Sequence, residues 1–266
     1  MNTLCFCANL SFMFLEYGDL LLRMEAAKLA GFSAYEVAFP YDASIEDLQK
    51  AQSELGISLE LINTFPGENG ELGFAATPGS EEAFKNSLHM SIAYAKALNC
   101  TRIHIMSGKK VAGISDSVME ETYVRNLIYA ANMLEPEDMI GLIEPINKYT
   151  GPNYFLDDFN KALSILQRVN SSNIKLQLDI FHLQQITGDL TNNIVRLLPY
   201  TGHIQIAQVP DRHEPNTFGE IDYKYILQLL EKLQYNRWIG LEYEPIQGTV
   251  EGLSWIEGYG YDLISC

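Results

Sequence analysis

Glu144 in IGLIEP, Asp179 in LQLDIFH, Gln205 in HIQIAQ and Glu242 in IGLEYEP are the residues whose types and spacing point to chemistry. Three are carboxylic acids, one is an amide, and each lies at the end of a short apolar run of strand character. They follow one another at intervals of 35, 26 and 37 residues. Each interval is about one strand plus one helix plus loops. In a βα barrel such spacing aims the four side chains at one point on one rim. Three carboxylates aimed at one point repel each other unless a cation lies between them. Oxygen-only ligation suits Mg²⁺ or Mn²⁺ rather than a thiolate-loving metal. Three carboxylates on a dication leave a net charge of about −1, so an anionic substrate needs further positive groups. His182, in DIFH, and Arg212, in PDRHEP, are the candidates. Each residue alone has a blander role open to it. Asp179 can cap a helix, Gln205 can satisfy buried backbone, and Arg212 can be a solvated loop charge. Recurrence on four successive strands is what argues for a joint site.

Eight β-rich runs must position these residues: 4–10, 34–39, 57–64, 102–107, 140–145, 174–180, 203–209 and 238–244. They are short and rich in Ile, Val, Leu or Tyr, as buried parallel strands are. Helical patterns lie between them, at 19–31, 44–56, 79–100, 119–134, 156–169 and 222–236. Gly31 and Gly56 read as helix stops, and Ser44 with Asp47 as a capping-box-like start. Alternation of strand and helix without a compositional break predicts a single α/β domain over 1–266, a (β/α)₈ barrel. The runner-up, a doubly wound open sheet, lacks its Gly-rich fingerprint after the first strand. Two long loops, 64–80 and 209–221, follow strands and belong on the same rim, where Gly and Pro suit lids or substrate walls.

Composition sets limits on partners. The chain has 18 Lys+Arg against 34 Asp+Glu, a net charge of −16. That balance argues against nucleic acid, whose phosphates need clustered basic residues. The N-terminal stretch has no basic leader segment and is interrupted by Asn9 and Glu16, which argues against a signal peptide. No apolar run is long enough to span a membrane. Of the four cysteines, Cys5 and Cys7 are two apart on one strand, poor geometry for a mutual disulfide, and no zinc-type CxxC occurs. Reduced thiols and a cytoplasmic location are the expectation.

Together these segments resemble the xylose-isomerase-like barrel superfamily and, within it, the hydroxypyruvate isomerase family. The matching stretches are FCANLSFMF, EVAFPYD, LINTFPG, IEPIN, LDIFH, HIQIAQVPDRHEP, GEIDY, GLEYEP and TVEGLSWI. They run from about residue 4 to 256, and the set is far more specific than any one of them. The resemblance implies that Glu144 and Glu242 are a catalytic acid–base pair. It also implies that Glu144, Asp179, Gln205 and Glu242 ligate a divalent metal, and that His182 and Arg212 contact substrate. Many superfamily members carry His at the Gln205 position. The implied substrate is a small 2-keto acid, hydroxypyruvate, converted to tartronate semialdehyde through an enediolate. Rival readings are a ketose 3-epimerase or an isomerase of a longer keto acid, a metal-dependent endonuclease, and a non-catalytic binding barrel. Phe12, Phe39 and Phe65 are candidates for setting pocket size between the first two. The last ten residues, 257–266, depart from the family pattern. The exposed face of 79–100 offers a surface for a homo-oligomer.

Overall fold

The computed structural model describes residues 4–263. Nine strands form one parallel sheet: β1 (Cys5–Asn9), β2 (Ala34–Glu36), β3 (Ser58–Leu59), β4 (Ile62–Asn63), β5 (Arg102–His104), β6 (Ile140–Ile143), β7 (Ile174–Asp179), β8 (Thr201–Ile206) and β9 (Trp238–Leu241). Their spatial order is β3-β2-β1-β9-β8-β7-β6-β5-β4. The two ends of that order are halves of one sequence segment. β3 pairs with β2 and β4 pairs with β5. The link between the halves is bonded as well: Val37 N–H donates to Leu61 O at 3.1 Å and Asn63 N–H to Ala38 O at 2.9 Å. The sheet thus closes on itself through an interrupted third stave, which leaves no free edge. Every expected strand is present. The count of nine rather than eight comes from the break at Glu60 and Leu61.

The helices are α1 (Leu20–Leu29), α2 (Ile45–Leu55), α3 (Glu81–Ala97), α4 (Asp116–Leu134), α5 (Phe159–Val169), α6 (Ile180–Ile186), α7 (Leu190–Leu197), α8 (Tyr223–Lys232), α9 (Thr249–Gly252) and α10 (Ser254–Gly258). Local chemistry sets their ends. Ser44 Oγ accepts from Asp47 N–H at 3.1 Å, and Gly56 ends α2 in the left-handed region at φ 60°. Helices α1 to α5 and α8 match the six expected ones within a few residues. The connection from β7 to β8 instead holds two short helices, α6 and α7, that periodicity did not reveal. The turn at Gly188 and Asp189, both at positive φ, divides them, so neither is long enough to show a repeat.

The unusual end of the chain is packed as far as it is described. Trp255 and Tyr261 both meet Phe6 edge-on, with ring centroids 5.4 and 5.6 Å away. Cys7 and Cys100 are free and buried. Cys5 is disulfide-bonded, so the expectation of fully reduced cysteines fails at that residue. Its neighbour on the strand, Cys7, is free, so the two do not pair with each other. No helix among the described residues is long and apolar enough to cross a membrane.

Candidate active site

The four residues singled out by spacing gather at the C-terminal ends of β6 to β9, though not as a flat ring. Asp179 and Gln205 sit in direct register, and Gln205 pairs with Gly240. Glu242 therefore projects two residues beyond Gln205's neighbour. Glu144 is the first residue past β6. Glu144, Asp179 and Gln205 are buried, and Glu242 keeps 14% of its side chain exposed. Asp179 also plays its blander role: Oδ1 accepts from Phe181 N–H at 2.7 Å and caps α6. Its other oxygen, Oδ2, has no hydrogen-bond partner, and neither has Glu144 Oε1.

These acids strain against one another. Burial, then Glu242 and Asp179, push the Glu144 carboxyl well above the usual range. Burial also pushes Asp179 up, with Glu242 adding to the effect and Arg212 opposing it. Glu242 is raised by burial, with Arg212 again opposing. Two orphaned buried oxygens among acids held this way are what a site for a cation looks like from the protein side. Ligand atoms of Glu144, Asp179 and His182 all lie within 4.8 Å of one another, a buried group suited to a divalent metal.

His182 enters on the first turn of α6, and its role follows from its partners. Nδ1 faces the backbone N–H of Asn147 at 3.4 Å and Asn147 Nδ2 at 2.7 Å. Asn147 cannot be turned round, because its Oδ1 accepts from Tyr149 and Thr150 N–H at 2.9 and 3.0 Å. Nδ1 is therefore an acceptor, and the proton of the neutral ring sits on Nε2. Nε2 lies 3.5 Å from Asp179 Oδ2 and 3.8 Å from Glu144 Oε1. Burial, Arg212 and His104 hold the ring well below its ordinary pKa, so it stays neutral. In this tautomer His182 points a donor into the site.

Arg212 comes from the loop after β8 at φ 59°, a left-handed conformation. Nη2 binds Glu242 Oε2 at 2.5 Å and lies 3.6 Å from Asp179 Oδ2. Nε donates to Glu242 O at 3.2 Å. The guanidinium is held over the rings of Phe12 (4.6 Å) and Phe181 (4.8 Å). The loop is wound around the buried Gln208 side chain. Its Nε2 donates to the carbonyls of Pro215, Thr217 and Ile221, and its Oε1 accepts from Val209 and Ile221 N–H. The other long loop is also fastened. Ala76 N–H donates to Ser107 O at 2.7 Å and Asn126 Nδ2 to Ala75 O at 2.8 Å. Gly73 approaches Met106 so closely that a Cβ would collide with its carbonyl. This half of the loop is a wall rather than a lid. Of the expected pocket aromatics, Phe12 is at the site. Phe65 stacks edge-on against Tyr41, and Phe39 is exposed.

Sequence reasoning missed a second set of residues, on strands earlier in the chain. His104 Nδ1 lies 3.4 Å from Glu144 Oε2, and neither ring nitrogen has a hydrogen-bond partner. Burial pushes its pKa down to about 3. Asn9 and Glu36, at the ends of β1 and β2, also reach the site: Asn9 Nδ2 donates to Glu36 Oε1 at 2.8 Å and to Glu242 Oε1 at 3.3 Å. All three end observed strands, but the apolar runs at 34–39 and 102–107 continue past Glu36 and His104, and only Asn9 stands near the end of its run.

The chain matches the family model for the xylose isomerase-like TIM barrel over residues 24–259. It belongs to that family, and within it to the hydroxypyruvate isomerases, a family of enzymes. It is 49% identical to a putative hydroxypyruvate isomerase of Danio rerio, covering 97% of this chain and 96% of the other. It is 42% identical to hydroxypyruvate isomerase of Escherichia coli (96% and 98% covered) and 39% identical to 2-oxo-tetronate isomerase of Cupriavidus necator (96% and 98%). A crystal structure described as AP endonuclease, family 2, from Brucella melitensis superposes with a TM-score of 0.92 at 39% identity, covering 96% and 98%. A zinc-bound structure of IOLI protein shares the fold, with a TM-score of 0.76 at 18% identity, covering 99% and 98%.

Proposed function

We propose that this isomerase interconverts hydroxypyruvate and 2-hydroxy-3-oxopropanoate, with Glu144 and Glu242 as the acid–base pair. The observation that carries the reading is the meeting of these two acids, from β6 and β9, in one buried site beside Asp179. One glutamate takes a proton from C3 of the substrate and the other delivers one to C2, while the C3 hydroxyl proton passes to the C2 oxygen, so that C3 becomes the aldehyde and C2 carries the hydroxyl. The intermediate between the two steps is a planar enediolate, which two carboxylates on opposite faces suit. His182 Nε2–H donates to a substrate oxygen, and Arg212, stiffened by Phe12 and Phe181, offers its charge to the substrate's carboxylate.

Glu144, Asp179, Gln205 and Glu242 would hold Mg²⁺ or Mn²⁺. The unpartnered oxygens of Glu144 and Asp179 support this, and an all-oxygen set suits a hard cation. When bound, the metal supplies positive charge beside the oxygens on which negative charge builds as the C3 proton leaves. The chain would act as one domain. The free thiols of Cys7 and Cys100 support a cytoplasmic location, and the Cys5 disulfide speaks against it.

A longer 2-keto acid is the second reading, favoured by identity to a 2-oxo-tetronate isomerase. Proton NMR of hydroxypyruvate in D₂O separates the two. The protein is tested with Mg²⁺, then with a chelator, against Glu242→Gln. Metal-dependent deuterium uptake with appearance of the aldehyde product is expected. No exchange with hydroxypyruvate, but exchange with 2-oxo-tetronate, would transfer the assignment to the longer acid.

A further inference from the structure

Glu36 is a buried carboxylate at the end of β2, and nothing in the reaction proposed above uses it. It reaches across the barrel interior, and the room it needs is made by Gly240, where any Cβ would run into its carboxylate. Oε1 accepts from Gln205 Nε2 at 2.6 Å and from Asn9 Nδ2 at 2.8 Å. Oε2 meets His203 Nε2 at 2.6 Å and lies 3.8 Å from the Cys7 thiol. Cys7, Glu36 and His203 are near enough to suggest a metal site of their own. The direct His203–Glu36 hydrogen bond closes the space an ion would need, so the cluster is a node of hydrogen bonds.

A carboxylate only accepts, so it takes the nitrogen end of an amide and repels the oxygen end. Gln205 is therefore turned with Nε2 toward Glu36. Its Oε1 faces the other way, where Gln177 Nε2 donates to one lone pair at 2.6 Å and the second stays available. Asn9 is fixed in the same manner. Its Nδ2 points at Glu36 and Glu242 while its Oδ1 accepts from Ser11 N–H at 2.9 Å. One buried charge thus sets the orientation of an amide at the rim and, through Asn9, that of a second rim acid.

We propose that Glu36 is a positioning residue for the metal centre, orienting Gln205 so that only its oxygen faces the ion. This rests on the metal reading above and adds a residue that acts through a ligand. A hard cation binds an amide by oxygen and not by nitrogen. Without an acceptor-only partner, Gln205 has two orientations, of which one ligates. Loss of such a supporting contact weakens metal binding by roughly 10- to 100-fold.

The test is a double-mutant cycle read by calorimetric titration of Mn²⁺ into metal-stripped protein, on wild type, Glu36→Gln, Gln205→Ala and the double variant. Circular dichroism checks the fold of each. Glu36→Gln is expected to weaken Mn²⁺ binding at least tenfold in wild type, and less than about threefold once Gln205 is Ala. Equal losses in both backgrounds, or binding within about threefold of wild type in the folded Glu36→Gln variant, would overturn the proposal. Wild type that takes up no Mn²⁺ would instead overturn the metal centre itself. If Glu36→Gln does not fold, Glu36→Asp takes its place, keeping the charge one methylene short of Gln205. At least about threefold loss that vanishes with Gln205→Ala supports the proposal, and no loss overturns it.

Discussion

Replacing Arg212 by Met removes the cation that opposes Glu144, Asp179 and Glu242 alike. Met keeps much of the volume between Phe12 and Phe181, so the change is mainly one of charge. The charge-assisted bond to Glu242 at 2.5 Å contributes about 1.5–3 kcal/mol. The contacts with Phe12 and Phe181 add about 0.5–2 kcal/mol. Asp179, 3.6 Å away, also loses its partner. Breaking a buried ion pair from one side then costs about 3–5 kcal/mol in all. The cost should depend on pH. The three carboxyls are already raised in the folded state, and removing Arg212 raises them further. A group whose folded pKa is raised stabilises the fold at low pH and loses that contribution as pH rises through the folded value. The penalty is therefore smaller at pH 5.5 than at pH 8, and saturating Mg²⁺ should reduce it by restoring a cation. Urea unfolding followed by tryptophan fluorescence, with chelator or with Mg²⁺ at both pH values, measures it. A variant within about 1 kcal/mol of wild type at pH 8 under chelator would refute the charge argument.

Glu144→Gln and Glu242→Gln should each lower kcat by about 10²–10⁴-fold while circular dichroism stays native. Near wild-type turnover of Glu144→Gln would show the acid–base pair to be misassigned. Asp179→Asn should weaken Mn²⁺ binding by about tenfold or more in calorimetry, yet leave α6 capped, since Asn also accepts from Phe181 N–H. The rise in melting temperature on adding Mg²⁺ should grow from pH 6 to pH 8, because binding must displace protons from the raised Glu144 and Asp179 carboxyls. A rise independent of pH would mean that these groups do not receive the metal.

The barrel was legible because its strands are buried on both sides and so read as dense apolar runs. The interruption at Glu60 and Leu61 was not, since it depends on hydrogen bonds to strands on either side that no local pattern encodes. The rim acids were legible because strand ends recur at regular spacing. Their supporting residues were harder to see. Glu36 and His104 end β2 and β5, but the apolar runs around them continue to 39 and 107, so neither reads as a strand end in sequence. Gln208 reads in sequence as one more polar residue after a strand. Only its five bonds to loop backbone reveal that it holds the loop presenting Arg212.

The site combines two kinds of group whose free-energy logic is opposite, and one layer of residues beneath the rim serves both. The neutral groups are fixed in advance: Asn147 sets the His182 proton on Nε2, and Glu36 sets the Gln205 oxygen. Dipoles held this way need not reorganise when charge develops, which is where an enzyme gains most from a polar site. The acids are left unsatisfied, with Glu144 Oε1 and Asp179 Oδ2 buried and unpartnered. Their mutual repulsion destabilises the empty site and is relieved only by a proton or a cation. Filling those two oxygens with ordinary donors would make the fold more stable and the site worse at binding a metal. Arg212 follows the same division: it contacts Glu242 at 2.5 Å but stays 3.6 Å from Asp179 Oδ2, so that oxygen keeps its capacity to receive a cation.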